Sequence, residues 1–211
     1  MKKSAEIITV DPVHPEQAFS HCRNVVALGG VIAYPTDTFY GLGVDPRNGL
    51  AVKRLFEIKG RQKDQPILLL MADPKNIGEW AAEVPCRAED FMKRYWPGPL
   101  TLIFTAKPDV LPEITAGTGT IGLRVPANTL TRELLGFIGH ALTGTSANLA
   151  GQPSPCTAHE TAEAVGGLVD LILDGGETAG GKPSTVVDAS TDTPRLVREG
   201  AIPWRDILAQ R

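Results

Sequence analysis

The residues best suited to chemistry lie in Tyr34-Pro35-Thr36-Asp37-Thr38-Phe39-Tyr40-Gly41-Leu42-Gly43, directly after the apolar run from Gly30 to Ala33. Two hydroxyls and a carboxylate fall between Thr36 and Thr38, and the glycines that follow let backbone approach a small molecule. That makes a polar floor for a ligand, although an ordinary polar turn has the same composition. A second cluster, Lys53, Arg54, Lys59, Arg61 and Lys63, sets five cations within eleven residues against the single Glu57 before Asp64. Such a run alone reads as a solvated helix face. Here Gly60 can cap the helix just past Ile58, so Lys59, Arg61 and Lys63 fall where a loop can fold over a bound phosphate. Arg124 closes the predicted strand Ile121-Gly122-Leu123-Arg124 before Pro126. A guanidinium there can clamp a carboxylate in bidentate fashion or make a surface ion pair.

Several familiar chemistries are absent. No GxxxxGK[ST] or strand-following GxGxxG occurs, which excludes a Walker loop and a dinucleotide fingerprint. Gly144-Thr145-Ser146-Ala147-Asn148 is GxSxN and not the GxSxG of a nucleophile elbow, so Ser146 is a poor covalent nucleophile. His14, His21, His140 and His159 have no metal-like spacing, and no protein metal site is expected. Hydroxyls, amides and cations without an evident base suit phosphoryl or nucleotidyl transfer, where the protein positions reactants and stabilises charge on phosphate oxygens.

The elements that must position these groups alternate in period. Helices are expected over Glu16 to Leu28, Leu50 to Lys59, Ile77 to Ala82, Ala88 to Tyr95, Leu130 to Ile138 and from the capping box Thr157-Ala158-His159-Glu160 to Val165. Strands are expected over Val31 to Tyr34, Pro66 to Met71, Leu100 to Ala106, Ile121 to Val125, His140 to Thr145, Val169 to Leu173, Thr185 to Asp188 and Arg195 to Arg198. Pro203 to Ala209 closes as a helical turn, and Leu111 to Thr120 reads as a loop whose Thr115, Thr118 and Thr120 could reach a ligand. This order predicts an α/β fold, an open sheet with flanking helices and mixed strand direction.

The chain has 211 residues, 42% of them hydrophobic, enough for one good core, so a single domain over 1–211 is expected. A net charge of −3 argues against a protein that mainly coats nucleic acid, while leaving room for a local basic groove. No signal-peptide core or membrane-length apolar run is present, and Cys22, Cys86 and Cys156 lack CxxC spacing, which points to reduced thiols and a cytoplasmic location without membrane partners.

Pro35-Thr36-Asp37-Thr38-Phe39-Tyr40-Gly41-Leu42-Gly43, Lys59-Gly60-Arg61, Pro97-Gly98-Pro99-Leu100-Thr101, Gly122-Leu123-Arg124-Val125-Pro126, Thr145-Ser146-Ala147-Asn148 and Pro183-Ser184-Thr185 together resemble, in order and spacing, the YrdC/TsaC family over nearly the whole chain. The resemblance implies a twisted open α/β sheet with a large concave basic cavity. It also implies threonylcarbamoyl-AMP synthesis from L-threonine, bicarbonate and ATP, with magnesium carried on the nucleotide, as the first step towards the t6A modification of tRNA. Carried over, Thr36, Arg124, Gly144 and Ser184 would bind L-threonine. Lys59, Lys63, Thr120, Ser146, Asn148, Ser154 and Arg198 would bind ATP, and Lys59 with Arg61 would act in catalysis. Downstream t6A transferase proteins, and tRNA itself, are the implied partners. Two positions depart from the family pattern: Gln65 stands where asparagine is common, and Ile67-Leu68-Leu69-Leu70-Met71 lacks a frequent histidine. A YciO-like paralogue and an RNA-binding module are the alternatives; Lys59-Gly60-Arg61 with Ser146-Ala147-Asn148 favours the synthase over the paralogue.

Overall fold

The computed structural model describes residues 4–60 and 66–209. It opens on a strand that the apolar pattern did not announce, β1 (Glu6–Thr9), followed by α1 (Pro15–Ala27), which starts on a proline whose missing N–H costs a first turn nothing. β2 (Ile32–Tyr34) and β3 (Gly41–Gly43) form a hairpin around the Thr36 loop. The side chain of Asn48 caps α2 (Gly49–Lys59) by accepting from the N–H groups of Leu50 and Ala51, and Gly60 ends it at φ 57°. There follow β4 (Leu69–Leu70), a 3-10 helix (Pro74–Glu79), α3 (Cys86–Tyr95), β5 (Leu100–Thr105), α4 (Pro112–Thr115), β6 (Thr120–Arg124) and α5 (Thr129–Ile138). The last part comprises β7 (Leu142–Thr143), β8 (Thr145–Ser146), α6 (Ala158–Val165), β9 (Leu171–Asp174), β10 (Thr185–Asp188), β11 (Arg195–Arg198) and α7 (Trp204–Ala209). The expected capping box of α6 is complete: Thr157 Oγ1 accepts from the Glu160 N–H at 3.1 Å, and the Glu160 carboxylate accepts from the Thr157 N–H at 3.3 Å.

The α/β class with mixed strands and flanking helices is as expected, but the strands divide between two sheets, ordered β1-β9-β2-β3-β8 and β11-β10-β5-β6-β4-β7. The cause is local. The expected single strand from His140 to Thr145 breaks at Gly144, with β7 pairing to β4 in one sheet and β8 to β3 in the other. A Cβ at Gly144 would lie 2.7 Å from Leu70 Cγ and 2.8 Å from Leu68 Cδ1, so the backbone passes where a side chain would collide with the β4 segment. Thr143 stitches the sheets at this point, its hydroxyl accepting from the Val44 N–H at 3.0 Å and donating to the Leu42 carbonyl at 3.1 Å.

Alternation along β2 serves two cores. Ile32 and Tyr34 face a cluster with α1 and α5 that includes Phe19, Leu134 and Leu173, whereas Val31 and Ala33 face the larger cluster with Leu55, Phe91 and Leu102. Of the basic cluster, Arg54 is committed inside the protein: its guanidinium reaches both Asp170 oxygens, at 2.5 and 3.2 Å, and the Leu168 carbonyl at 3.0 Å, tying α2 to the approach to β9. Among the described residues no helix is long and apolar enough to cross a membrane.

Burial in α1 pushes the Cys22 thiol from an ordinary 9.0 up to about 12, whereas Cys86 is exposed. Because the folded-state value is raised, the stabilisation from keeping Cys22 protonated is complete below pH 9.0 and is lost as pH rises towards about 12. In a thiol titration at mildly alkaline pH, Cys86 should react promptly and Cys22 only on unfolding; urea midpoints should fall above pH 9.0, less steeply in Cys22→Ala.

Candidate active site

Four neighbouring strands, β10, β5, β6 and β4, turn one face to a cavity of about 360 Å³. Ser184 and Val186, Thr101 and Ile103, Thr120, Gly122 and Arg124, and Leu68 and Leu70 line it, while the intervening Leu100, Leu102, Ile121, Leu123, Val187 and Leu69 enter the larger core. Register aligns the floor: Val186 lies beside Thr101, Ile103 beside Gly122 and Leu70 beside Arg124. The opposite wall comes from the β2–β3 hairpin, with Thr36, Thr38 and Gly41, and from Gly144, Thr145, Ser146 and Ser154. The volume is that of a small-molecule site. Among the described residues the charged side chains lining it are Arg124 and Arg198, both cationic. No cluster of three or more His, Cys, Asp or Glu side chains among them could hold a metal ion.

At one end Arg124, only 4% exposed, is locked: Nε donates to the Gly98 carbonyl at 2.9 Å and Nη2 to Asp37 Oδ1 at 2.6 Å. Among the described residues Nη1 has no hydrogen-bond partner, so the group keeps donors for an incoming carboxylate. Of the two readings the sequence allowed, the ion pair is real but buried, and the arginine still lines the cavity. Nearby, Tyr34 donates to the Thr143 carbonyl at 2.7 Å; burial drives its phenol pKa well above the ordinary range, with the Arg124 charge opposing, so it stays a neutral donor. Ser184 shares a hydroxyl contact of 2.9 Å with Thr101, and Arg198 Nη2 donates to the Ser184 carbonyl at 2.9 Å.

Thr36 lines the cavity, but its hydroxyl is engaged by its own turn. It donates to the Phe39 carbonyl at 2.7 Å and accepts from the N–H groups of Thr38 and Phe39 at 3.1 and 3.3 Å. A hydroxyl has one proton and two lone pairs, so in this arrangement Thr36 offers a ligand its methyl and main chain. Of the three threonines expected near Leu111 to Thr120, Thr115 and Thr118 bond within their own short helix and turn, and Thr120 reaches the cavity.

At the other end Lys59 and Asn148, expected against a nucleotide, sit behind the wall. The Lys59 ammonium donates to the Ser146 carbonyl at 2.7 Å, the Asn148 carbonyl at 2.5 Å and Asn148 Oδ1 at 2.7 Å. The oxygens converge on the end of α2, and without the ammonium the Ser146 and Asn148 carbonyls would lose this donor, which is why the ammonium turns towards them. Ser146 Oγ, in the wall itself, donates to Asn148 Oδ1 at 2.6 Å, and the Asn148 amide donates to the Gln152 carbonyl. Lys59 thus acts on the cavity through Ser146. Arg61, Lys63 and Gln65 lie outside the described residues. Thr36, Thr120, Arg124, Gly144, Ser146, Ser154, Ser184 and Arg198 are brought together around the cavity. Thr38, whose hydroxyl belongs to the polar stretch expected beneath a ligand, does line the cavity; sequence reasoning missed Asp37 as the partner of Arg124 and Thr101 as a lining residue, for which the lone hydroxyl in Leu100-Thr101-Leu102-Ile103-Phe104 was the available signal.

A mixed α/β scaffold that gathers hydroxyls, two guanidiniums and a glycine-opened trough around one cavity defines a small-molecule site for anionic ligands. Residues 24–200 match the Sua5/YciO/YrdC family, described as "Telomere recombination", and the chain belongs to that family. It is 42% identical over 180 residues to the threonylcarbamoyl-AMP synthase of Pyrococcus abyssi, covering 85% of this chain and 53% of that protein. The chain therefore spans about half the length of that curated relative. The crystal structure of P. abyssi Sua5 complexed with L-threonine superposes with a TM-score of 0.91 at 38% identity, covering 96% of this chain and 60% of that one. Escherichia coli YciO gives 0.85 at 29% identity, covering 94% and 97%.

Lys59→Met should remove the ammonium donor from the Ser146 and Asn148 carbonyls and lower unfolding free energy by roughly 2–4 kcal/mol, read from urea midpoints. It should also loosen the cavity wall, seen as faster amide hydrogen exchange over Ser146 to Asn148, since Ser146 loses its support.

Proposed function

We propose that this chain forms L-threonylcarbamoyladenylate and pyrophosphate from L-threonine, bicarbonate and ATP. The observation that carries the reading is Arg124: a buried, prepositioned guanidinium with a free Nη1, set in a cavity whose far wall carries the Lys59-supported turn of Ser146 to Asn148. A relative of 38% identity and nearly the same fold is known in complex with L-threonine, which favours a threonine carboxylate on Arg124, with Ser184 and Gly144 beside it. In the same reading Thr120, Ser146, Ser154 and Arg198 hold the nucleotide, with Lys59 and Asn148 shaping that wall and Arg61 and Lys63 contributing charge. The higher identity to a synthase than to YciO favours the synthase over the paralogue.

The chemistry needs no covalent enzyme intermediate. The threonine amine combines with bicarbonate to give a carbamate and water. A carbamate oxygen then forms a bond to the α-phosphorus of ATP while the bond from that phosphorus to the bridging oxygen breaks and pyrophosphate leaves. Both partners are anionic, so their approach is unfavourable until fixed cations offset the repulsion. Arg198 supplies that charge from the cavity wall, Arg124 presents a prepositioned N–H donor, and holding the two reactants together contributes the rest. Magnesium is proposed to arrive on the triphosphate, where it supplies further positive charge. The product would pass to t6A transferase proteins that act on tRNA, in the cytoplasm.

Purified protein given ATP, magnesium and bicarbonate should release pyrophosphate only when L-threonine is present. Release indifferent to threonine would refute the reading. Arg124→Ala should raise the threonine KM by at least about tenfold, from loss of a charge-assisted hydrogen bond, with the ATP KM nearly unchanged.

A further inference from the structure

Asp37 is the carboxylate that holds Arg124, and it holds it with one oxygen only. Oδ1 accepts from Arg124 Nη2 at 2.6 Å, whereas Oδ2 is enclosed and has no hydrogen-bond partner among the described residues. The side chain is 11% exposed and the arginine 4%, so the pair is largely withdrawn from water. A carboxylate serving only to fasten an arginine would present both oxygens to the fork. Here the Gly98 carbonyl takes Nε instead, and a bare carboxylate oxygen remains buried behind the arginine. A buried acceptor left unpaired costs free energy, so the retained charge calls for a function.

The charge changes what Arg124 selects. A lone guanidinium in this cavity would attract any anion, including the bicarbonate and phosphate groups that the proposed reaction brings into the same space, and would repel the ammonium of an amino acid. With Asp37 against it the pair is neutral overall. Attraction for a simple anion is then largely cancelled, because the two opposite charges lie within one hydrogen-bond distance. An amino-acid zwitterion keeps its carboxylate contact on the free Nη1 and no longer suffers the ammonium penalty. We propose that Asp37, acting through Arg124, is a specificity-determining residue that reserves this subsite for a zwitterionic amino acid and closes it to inorganic anions. The inference rests on the threonine-binding reading of the cavity and concerns recruitment of the amino acid, before its amine is carboxylated.

The test compares wild type with Asp37→Asn, which keeps an acceptor at Oδ1 but removes the charge, and Asp37→Glu, which keeps the charge. Adenylate formation is followed by chromatography at saturating ATP and magnesium, with L-threonine varied against inorganic phosphate. Phosphate should compete poorly with threonine in wild type and in Asp37→Glu. In Asp37→Asn the competitive inhibition constant for phosphate should fall, and the threonine KM rise, each by about tenfold. A merely structural role would weaken both ligands together and would not produce the gain in phosphate affinity. Unchanged phosphate competition in Asp37→Asn would overturn the proposal. So would strong competition already present in wild type, a result that needs no variant to fold. If wild type forms no adenylate, it is the synthase reading that fails, and calorimetric titration of threonine and of phosphate into the same proteins decides the role of Asp37 separately.

Discussion

The structure depends on the close passage of backbone at Gly144. Between Leu142 and Ser146 the chain leaves one sheet and joins the other, and it can do so only because no side chain at Gly144 meets Leu68 and Leu70. The Thr143 hydroxyl, donating to Leu42 of β3 and accepting from Val44 just past it, fixes the offset between the two sheets. That offset leaves a gap between the face of β10, β5, β6 and β4 and the β2–β3 hairpin, and the gap is the cavity. A bulkier residue at the crossing would alter the spacing of every group on both walls.

The two ends of the cavity are organised by buried cations used in opposite ways. Lys59 spends its donors on the Ser146 and Asn148 oxygens and makes a rigid turn out of a glycine-flanked, polar stretch. Arg124 is also held from behind, by Gly98 and Asp37, but retains Nη1. One cation shapes a wall and the other keeps a hand free. A sequence shows both only as basic residues at the end of an apolar element.

What the sequence disclosed followed from local physics. Thr157 and Glu160 mark a helix start because capping is settled within four residues, and Gly60 marks a helix end because it takes the left-handed conformation without a Cβ penalty. The division into two sheets was not legible, since β4, β7 and β8 have two residues each, too few to carry a period. Thr101 hid in β5, a strand buried on both faces, where alternation does not separate core from cavity. The tie between Asp37 and Arg124 spans 87 positions and depends wholly on tertiary assembly. Arg54 shows the converse: a basic residue in a basic run whose partner, Asp170, lies elsewhere in the same chain.

Leu68, Leu70, Ile103 and Val186 give the floor a hydrocarbon patch among its hydroxyls and guanidiniums. Water has little to hold onto there, and a ligand lying against it would displace loosely held solvent and leave few molecules within striking distance. For the mixed anhydride of the proposed reaction, which decomposes when hydroxide or water reaches its carbonyl or phosphorus, such a dry surface would lengthen its lifetime until it is handed on.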